Sequence, residues 1–547
     1  MLKHKLVKSV VALLLLSFVL VANSVAANPK PNILLIMAED MSSRVGAFGD
    51  TVAITPNLDR LARTSIRFPN TFTTAGVCAP SRAAHILGVH QISVGAQHMR
   101  TRSYKTSTYR TVPPNHMKAY PELLRRHGYY TFSSAKLDYQ FSGIFASSGP
   151  FTIWDYAGPK PTWQGRAQGQ PFFGFVSIKQ THEGQLFPKA VLRNNNNGDR
   201  SQVVNPDDVL LPPYYPDHPA VRADIAQHYN NIYTMDQVVG QLLRRLKKDG
   251  LADNTIVIWT TDHGDGLPRG KREIYDSGIK VPLLVHWPKS LKPEGVDLGS
   301  INNKLVSLVD IGPSILTLAG IPIPDYMHGS AQLVANASLK RQYIYASKDR
   351  LDDFNFYERA VRDNQFKYIK NFNPKSPGAQ PIIYRDNLAS MQTLWQQLAA
   401  GKLNSSQRLW FEPTPAEALY DIQADPHEIN NLVNSAKHRD RLVQMRSALN
   451  SWRDSVGDFS ETTELQMANQ FWPNGEQPIT QPPKISINQL GIATIAPAAN
   501  HDSMGYRING GAWMIYKAPV SVPKGGVLEA KAVRYGWAES TLVKVSG

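Results

Sequence analysis

Asn32-Ile33-Leu34-Leu35-Ile36-Met37, an unbroken apolar run closing on the acidic pair Glu39-Asp40, sets the reading of the first half of the chain. Its counterpart, Thr255 to Thr260 (TIVIWT), closes on Asp262-His263. Between and beyond these lie Tyr130 to Ala135 (YTFSSA), Phe172 to Lys179 (FFGFVSIK) and Val281 to Trp287 (VPLLVHW), each followed by polar residues. Short apolar runs that alternate with helical stretches predict an α/β protein with a mainly parallel sheet flanked by helices.

The helical stretches carry their own signals. Thr55-Pro56-Asn57 starts one, with Thr55 as N-cap, Pro56 in the first turn and Leu58, Leu61 and Ala62 as its apolar face. A longer one runs from about Arg222 to Lys248, where Ile225, Tyr229, Ile232, Val239, Leu243 and Leu246 recur at steps of three and four. Asp236 falls on that stripe and reads as a buried hydrogen-bonding carboxylate outside any site.

Composition changes after about Pro324. Tyr343 to Ser347, Glu358 to Arg362 and Phe366 to Lys370 read as strands of a smaller antiparallel sheet, and His438 to Val456 as a closing helix. Trp472 to Lys484 (WPNGEQPITQPPK) reads as a linker, and the short strands with glycine turns beyond it as a β-sandwich accessory module. The expected division is 1–27, signal peptide; 28–335, catalytic α/β domain; 336–460, α+β subdomain; 461–484, linker; 485–547, β-sandwich.

The first 27 residues have a basic start, an apolar run and small residues at Ala26 and Ala27, the pattern of a cleaved signal peptide. The apolar part, Val10 to Ala22, is short for a bilayer span, so a periplasmic or secreted protein without a stable membrane anchor is expected. The formal charge of +15 would suit nucleic acid, but export points instead to another polyanion. The 547 residues contain one cysteine, Cys78, which excludes an intramolecular disulfide and leaves a thiol that needs a chemical reason.

That reason lies in Cys78-Ala79-Pro80-Ser81-Arg82, which resembles the C-x-P-S-R signature of the type I sulfatases of the alkaline phosphatase superfamily. The resemblance implies an alkaline-phosphatase-like fold and a Cys78 oxidised to formylglycine by a maturation enzyme. A hydrated aldehyde offers two hydroxyls, one to attack sulfur and one to expel sulfate afterwards. Residues 81–87 read as a helix, whose N-terminus beside Cys78 favours an anion, with Arg82 expected to hold the nucleophile.

Further segments extend the likeness over about Pro31 to Val433. Glu39, Asp40, Asp262, His263 and Cys78 resemble the sulfatase metal site, where hard oxygen ligands imply Ca²⁺, with Mg²⁺ as the alternative. Glu39 stands where the family usually has Asp, and His263 where Asn is frequent. Gly128-Tyr129-Tyr130-Thr131 leading to Lys136-Leu137-Asp138 resembles the G-Y-x-T…G-K-W-H block, with Asp138 in place of the His. His182 matches the histidine that contacts the ester, and Lys271 in Gly270 to Gly278 matches the sulfate-binding lysine. Glu417 to Leu432 resembles the family's E-L-Y-D…D-P-x-E-x-x-N-L segment.

The implied machinery is therefore Cys78, Arg82, Lys136, His182 and Lys271, with Asp138, His98 and Arg100 as candidate substrate contacts. The expected activity is hydrolysis of sulfate esters on a sulfated polysaccharide or oligosaccharide. Two rivals share the scaffold: a phosphonate monoester or phosphodiester hydrolase, and an inactive glycan-binding homologue suggested by Asp138 and Glu39.

Overall fold

The computed structural model describes residues 30–547 apart from 100–101, 104–106, 135, 144–148, 197–202 and 335–339. The expected signal peptide, Arg100 and Ala135 thus lie outside the described residues.

Its centre is an eight-stranded sheet built from β1 (Asn32–Ala38), β2 (Ser65–Phe72), β3 (Tyr130–Ser133), β4 (Tyr156–Ala157), β5 (Phe172–Ile178), β6 (Thr255–Thr261), β7 (Lys280–His286) and β8 (Val306–Ser307). The spatial order is β8-β2-β7-β6-β1-β5-β3-β4. Every residue of β1 and of β6 is buried, as their unbroken apolar sequences require when both sheet faces are covered. One face packs on a cluster containing Ile33, Leu35, Phe173 and Ile258, and the other on one containing Leu34, Ile36, Val257 and Trp259.

Most neighbours run parallel, but β7 is antiparallel to both β6 and β2. The chain leaves β6 and returns as β7 through 262–279 without a crossover helix, so the two strands must oppose. That connection carries Asp262, His263 and Lys271.

Three helices position the site or brace it: α1 (Pro56–Ala62), α2 (Cys78–Leu87) and α3 (Pro219–Lys248). Thr55 stands at the N-cap of α1, its carbonyl accepting from the Asp59 N–H, but its side chain caps none of the helix amides. The capping oxygens come from Asp236 on α3, which accept from the Leu58 N–H at 2.8 Å and the Asn57 N–H at 3.1 Å. The long helix starts earlier than its apolar stripe predicts, because His218 caps it by accepting from the Ala220 N–H.

A second sheet, antiparallel throughout, comprises Ile344–Lys348, Glu358–Arg362, Phe366–Asn371 and Glu417–Asp421, with helix Arg439–Val456 packed on it. Two further antiparallel sheets close the chain around Ile495, Tyr506, Leu528 and Ala530. The stretch expected as a linker is ordered against the body. It holds helix Glu464–Phe471, and its Trp472 indole donates to the Gly536 carbonyl at 3.0 Å. The final sheets are fused to the catalytic body, since Val533 and Tyr535 belong to its main core.

Candidate active site

Strand register explains why distant acidic pairs meet. Ala38 pairs with Thr261 on one side and with Ile178 on the other, so Glu39-Asp40, Asp262-His263 and the turn before His182 leave the sheet side by side. Such carboxyl ends of strands are where open α/β sheets bind ligands.

Asp40 takes a left-handed backbone, φ 50°. Its N–H donates to Asp262 Oδ1 at 3.0 Å, one of the contacts that hold this sparsely populated conformation in place. Asp40 Oδ2 accepts from Lys271 Nζ at 2.5 Å and from the Glu183 N–H at 2.7 Å, while Oδ1 lies 3.1 Å from His263 Nε2.

Cys78 is the first residue of α2 and is buried at 1% exposure. Its Sγ lies 3.2 Å from His263 Nε2, 3.6 Å from Lys271 Nζ and 3.7 Å from Asp40 Oδ1. The approach of the Lys271 loop needs Gly76, where a Cβ would come within 2.2 Å of the Glu273 carbonyl oxygen. Burial pushes the thiol up, yet Lys136 and Lys271 outweigh it and bring the pKa down to about 6.

Burial also opposes ionisation of the acids, but cations dominate. Lys271 and His182 hold Asp40 well below the carboxylate range, and Lys136 and Arg82 lower Glu39. His263, which burial alone would lower, is raised to about 10 by Asp262, Cys78 and Asp40. The pocket therefore concentrates anionic groups that demand positive charge.

Asp40, Cys78, Asp262 and His263 present ligand atoms within 4.8 Å of one another, all buried. Two carboxylates whose oxygens converge with an imidazole nitrogen on the nucleophile position fit a divalent cation, since such hard donors are what one coordinates. The Glu39 carboxylate pairs with Lys136 at 2.6 Å and, with Asp40 and His182, makes a second group of potential ligands that shares Asp40 with the first.

Arg82 Nε and Nη2 grip Asp262 Oδ2 at 3.1 and 3.0 Å and its Nη1 donates to Ser177 Oγ, so the guanidinium orients a carboxylate of the site and acts on Cys78 through its charge. His182 is half-buried, and its Nδ1 accepts from the Gly184 N–H at 3.1 Å. That bond places the ring proton on Nε2, which lies 4.0 Å from Glu39.

Two candidate substrate contacts are packed inside. His98 is 9% exposed, its Nδ1 accepts from the Arg350 N–H, and burial lowers its pKa to about 3. Asp138, 3% exposed, acts on Arg82 rather than opening to solvent.

Sequence reasoning gave no role to Glu183 and Arg272, which form a forked ion pair at 2.7 and 2.9 Å beneath Asp40. Tyr384, whose ring stands edge-on to His182 at 6.4 Å, was missed as well. The adjacency of Glu183 to His182 was the only signal for the first, and Tyr384 lies in a segment with no motif.

The sulfatase family model matches residues 31–157 and 160–321, and that of the N-sulphoglucosamine sulphohydrolase C-terminal region matches 269–377. An ulvan-active sulfatase of Formosa agariphila is 37% identical over 94% of this chain and 91% of its own. Human N-sulphoglucosamine sulphohydrolase is 28% identical over 81% of this chain and 93% of its own. Among solved structures, a 2-O GAG sulfatase superposes with a TM-score of 0.57 at 18% identity, covering 79% of this chain and 94% of that one. The phosphonate monoester hydrolase of Agrobacterium radiobacter does so at 0.54 and 17% identity, covering 79% and 97%.

Proposed function

The chain belongs to the sulfatase family, whose members hydrolyse sulfate esters, and on that premise we propose that it is an exported enzyme that desulfates a sulfated polysaccharide or its oligosaccharides. Cys78 is its nucleophile after oxidation to formylglycine by a maturation enzyme. Asp40, Asp262, His263 and the modified Cys78 would hold a divalent cation, Ca²⁺ or Mg²⁺, with Glu39 beside Asp40 as a further ligand candidate. The observation that carries the reading is the meeting of Cys78 with two buried carboxylates, His263 and Lys271 at the ends of adjacent strands. The polysaccharide class rests on the relatives, among them the ulvan-active sulfatase and N-sulphoglucosamine sulphohydrolase, and suits a chain of formal charge +15.

Hydrated formylglycine supplies the hydroxyl that attacks sulfur and the second hydroxyl whose deprotonation releases sulfate. The cation, when bound, supplies positive charge against the sulfate oxygens. The side chains of the chain itself do the rest. Lys271, within 3.6 Å of the Cys78 sulfur, and Lys136, held by Glu39, neutralise sulfate oxygens in a site whose burial strengthens each charge. Arg82 fixes Asp262, and the Glu183–Arg272 pair sets the backbone N–H that holds Asp40. His182, with its proton on Nε2 and its side chain 23% exposed, faces outward to donate a hydrogen bond to the departing sugar oxygen.

Two measurements test the proposal. Mass spectrometry of the peptide around Cys78 from exported protein should find an aldehyde in place of the thiol. Cys78→Ala should fold normally and lose sulfate release from both aryl and glycan sulfates. An unmodified thiol in fully active enzyme would overturn the nucleophile assignment, and faster turnover of matched phosphonate esters would move the chain to the rival chemistry.

A further inference from the structure

A cavity of about 850 Å³ lies between the catalytic centre and α3. Glu39, Lys136 and His182 line its inner end. Its floor is apolar: Val176 and Ile178 of β5 face Val238 and Leu242 of α3. Val238, Leu242 and Arg245 follow one another at helical spacing on one face of α3, and all three are only half-buried, so this face is left partly open.

The charge along the cavity is one-sided. Lys160 and Lys179 are exposed lining residues and Arg245, 4.0 Å from Asp249, is half-buried beside them, while the sole carboxylate among the described lining residues, Glu39, is already paired with Lys136. Arg245 is held in place: its guanidinium lies over the Trp163 ring at 4.8 Å and donates to Thr162 Oγ1 at 2.8 Å. An aliphatic floor with cations along it suits a ligand with apolar C–H faces and repeated negative charge. The volume lies within the ~300–1,000 Å³ of pockets that enclose ligands.

We propose that this trench is an extension subsite that binds the anionic saccharide units adjoining the sulfated sugar, through Lys160, Lys179 and Arg245. The inference rests on the sulfatase reading above and deepens it: the enzyme acts on chains, and a negatively charged neighbour, uronate or sulfate, promotes binding.

The test compares the wild type with the Lys160→Gln/Lys179→Gln/Arg245→Gln variant on a sulfated monosaccharide and on an ulvan-derived tetrasaccharide. The triple variant should raise KM for the tetrasaccharide, relative to that for the monosaccharide, by roughly tenfold, the combined loss of three exposed charge contacts. The wild type's preference for the longer substrate should also fall with added salt more steeply than the variant's. If Arg245→Gln perturbs folding, the Lys160→Gln/Lys179→Gln double variant, changed only at exposed positions, should show the same trend at smaller size. An unchanged KM ratio in a folded variant overturns the trench. Binding of the same tetrasaccharide to Cys78→Ala enzyme, with and without the trench substitutions, separates the two readings. Binding lost with the lysines while no variant releases sulfate would uphold the trench and sink the sulfatase reading, and unchanged binding beside normal turnover would do the reverse.

Discussion

At the residue scale, His182 shows how one hydrogen bond selects a role. Because Nδ1 accepts from the Gly184 amide, the ring offers a donor toward the cavity and no second acceptor. A proton donor matters most when the leaving group is a poor one. Replacing His182 with Ala should therefore lower kcat for a sugar sulfate by about 10²–10³-fold, the usual worth of a donor aimed at developing charge, while an aryl sulfate with an acidic phenol loses far less. An equal loss on both substrates would show that His182 merely shapes the pocket. Lys271 answers differently, since it lies on the sulfate side, 3.6 Å from the Cys78 sulfur. Lys271→Ala should cost both substrates alike, by about 10²-fold or more, as loss of a buried cation that faces the transferred group.

At the element scale, α1 is tied to α3 through Asp236, whose carboxylate satisfies the Asn57 and Leu58 amides and the Asn57 side chain. Asp236→Ala leaves those buried donors unpaired and should cost about 2 kcal/mol or more, seen as a lower unfolding midpoint with kcat unchanged. A variant as stable as the wild type would mean that water replaces the carboxylate. The same contact marks what the sequence could convey. Asp236 stood out as a buried polar member of a helical stripe, but its partner lies 179 residues away, beyond any periodicity. Glu39, Asp40, Asp262 and His263 were readable because each pair directly follows an apolar strand, and register then aligns them. The antiparallel course of β7 was hidden, since an apolar run carries no direction. Arg82 was readable as part of the motif, whereas its grip on Asp262 depends on where a long side chain turns after the sheet has formed.

At the scale of the whole molecule, the C-terminal sheets dock on the catalytic body through one buried acid. Glu122 accepts from Tyr535 Oη at 2.7 Å, Ser503 Oγ at 2.5 Å and Thr152 Oγ1 at 2.6 Å, and pairs with Arg126. Around it the Tyr535 ring stacks on Phe141 at 4.9 Å and Arg125 reaches the Trp513 carbonyl. Cutting the chain before 485 would strip this cover from the main core, so the truncated enzyme should aggregate rather than simply lose a sugar-binding module. Burial raises the Glu122 pKa, but Lys118, Arg126 and the hydroxyl donors overcome it and bring the carboxyl from 4.5 to about 2. A folded-state pKa below the unfolded one means that the unfolded chain takes up the proton first as pH falls. The stabilisation is then complete above pH 4.5 and declines as pH drops toward 2. Its size is on the order of 3 kcal/mol at neutral pH, by the conversion of ~1.4 kcal/mol per unit. Glu122→Gln should accordingly lower the unfolding midpoint by several degrees at pH 7, and the gap from wild type should narrow steadily between pH 4.5 and 3. A gap that stays constant across that range, measured by thermal unfolding, would show that the carboxylate charge does not hold the two parts together.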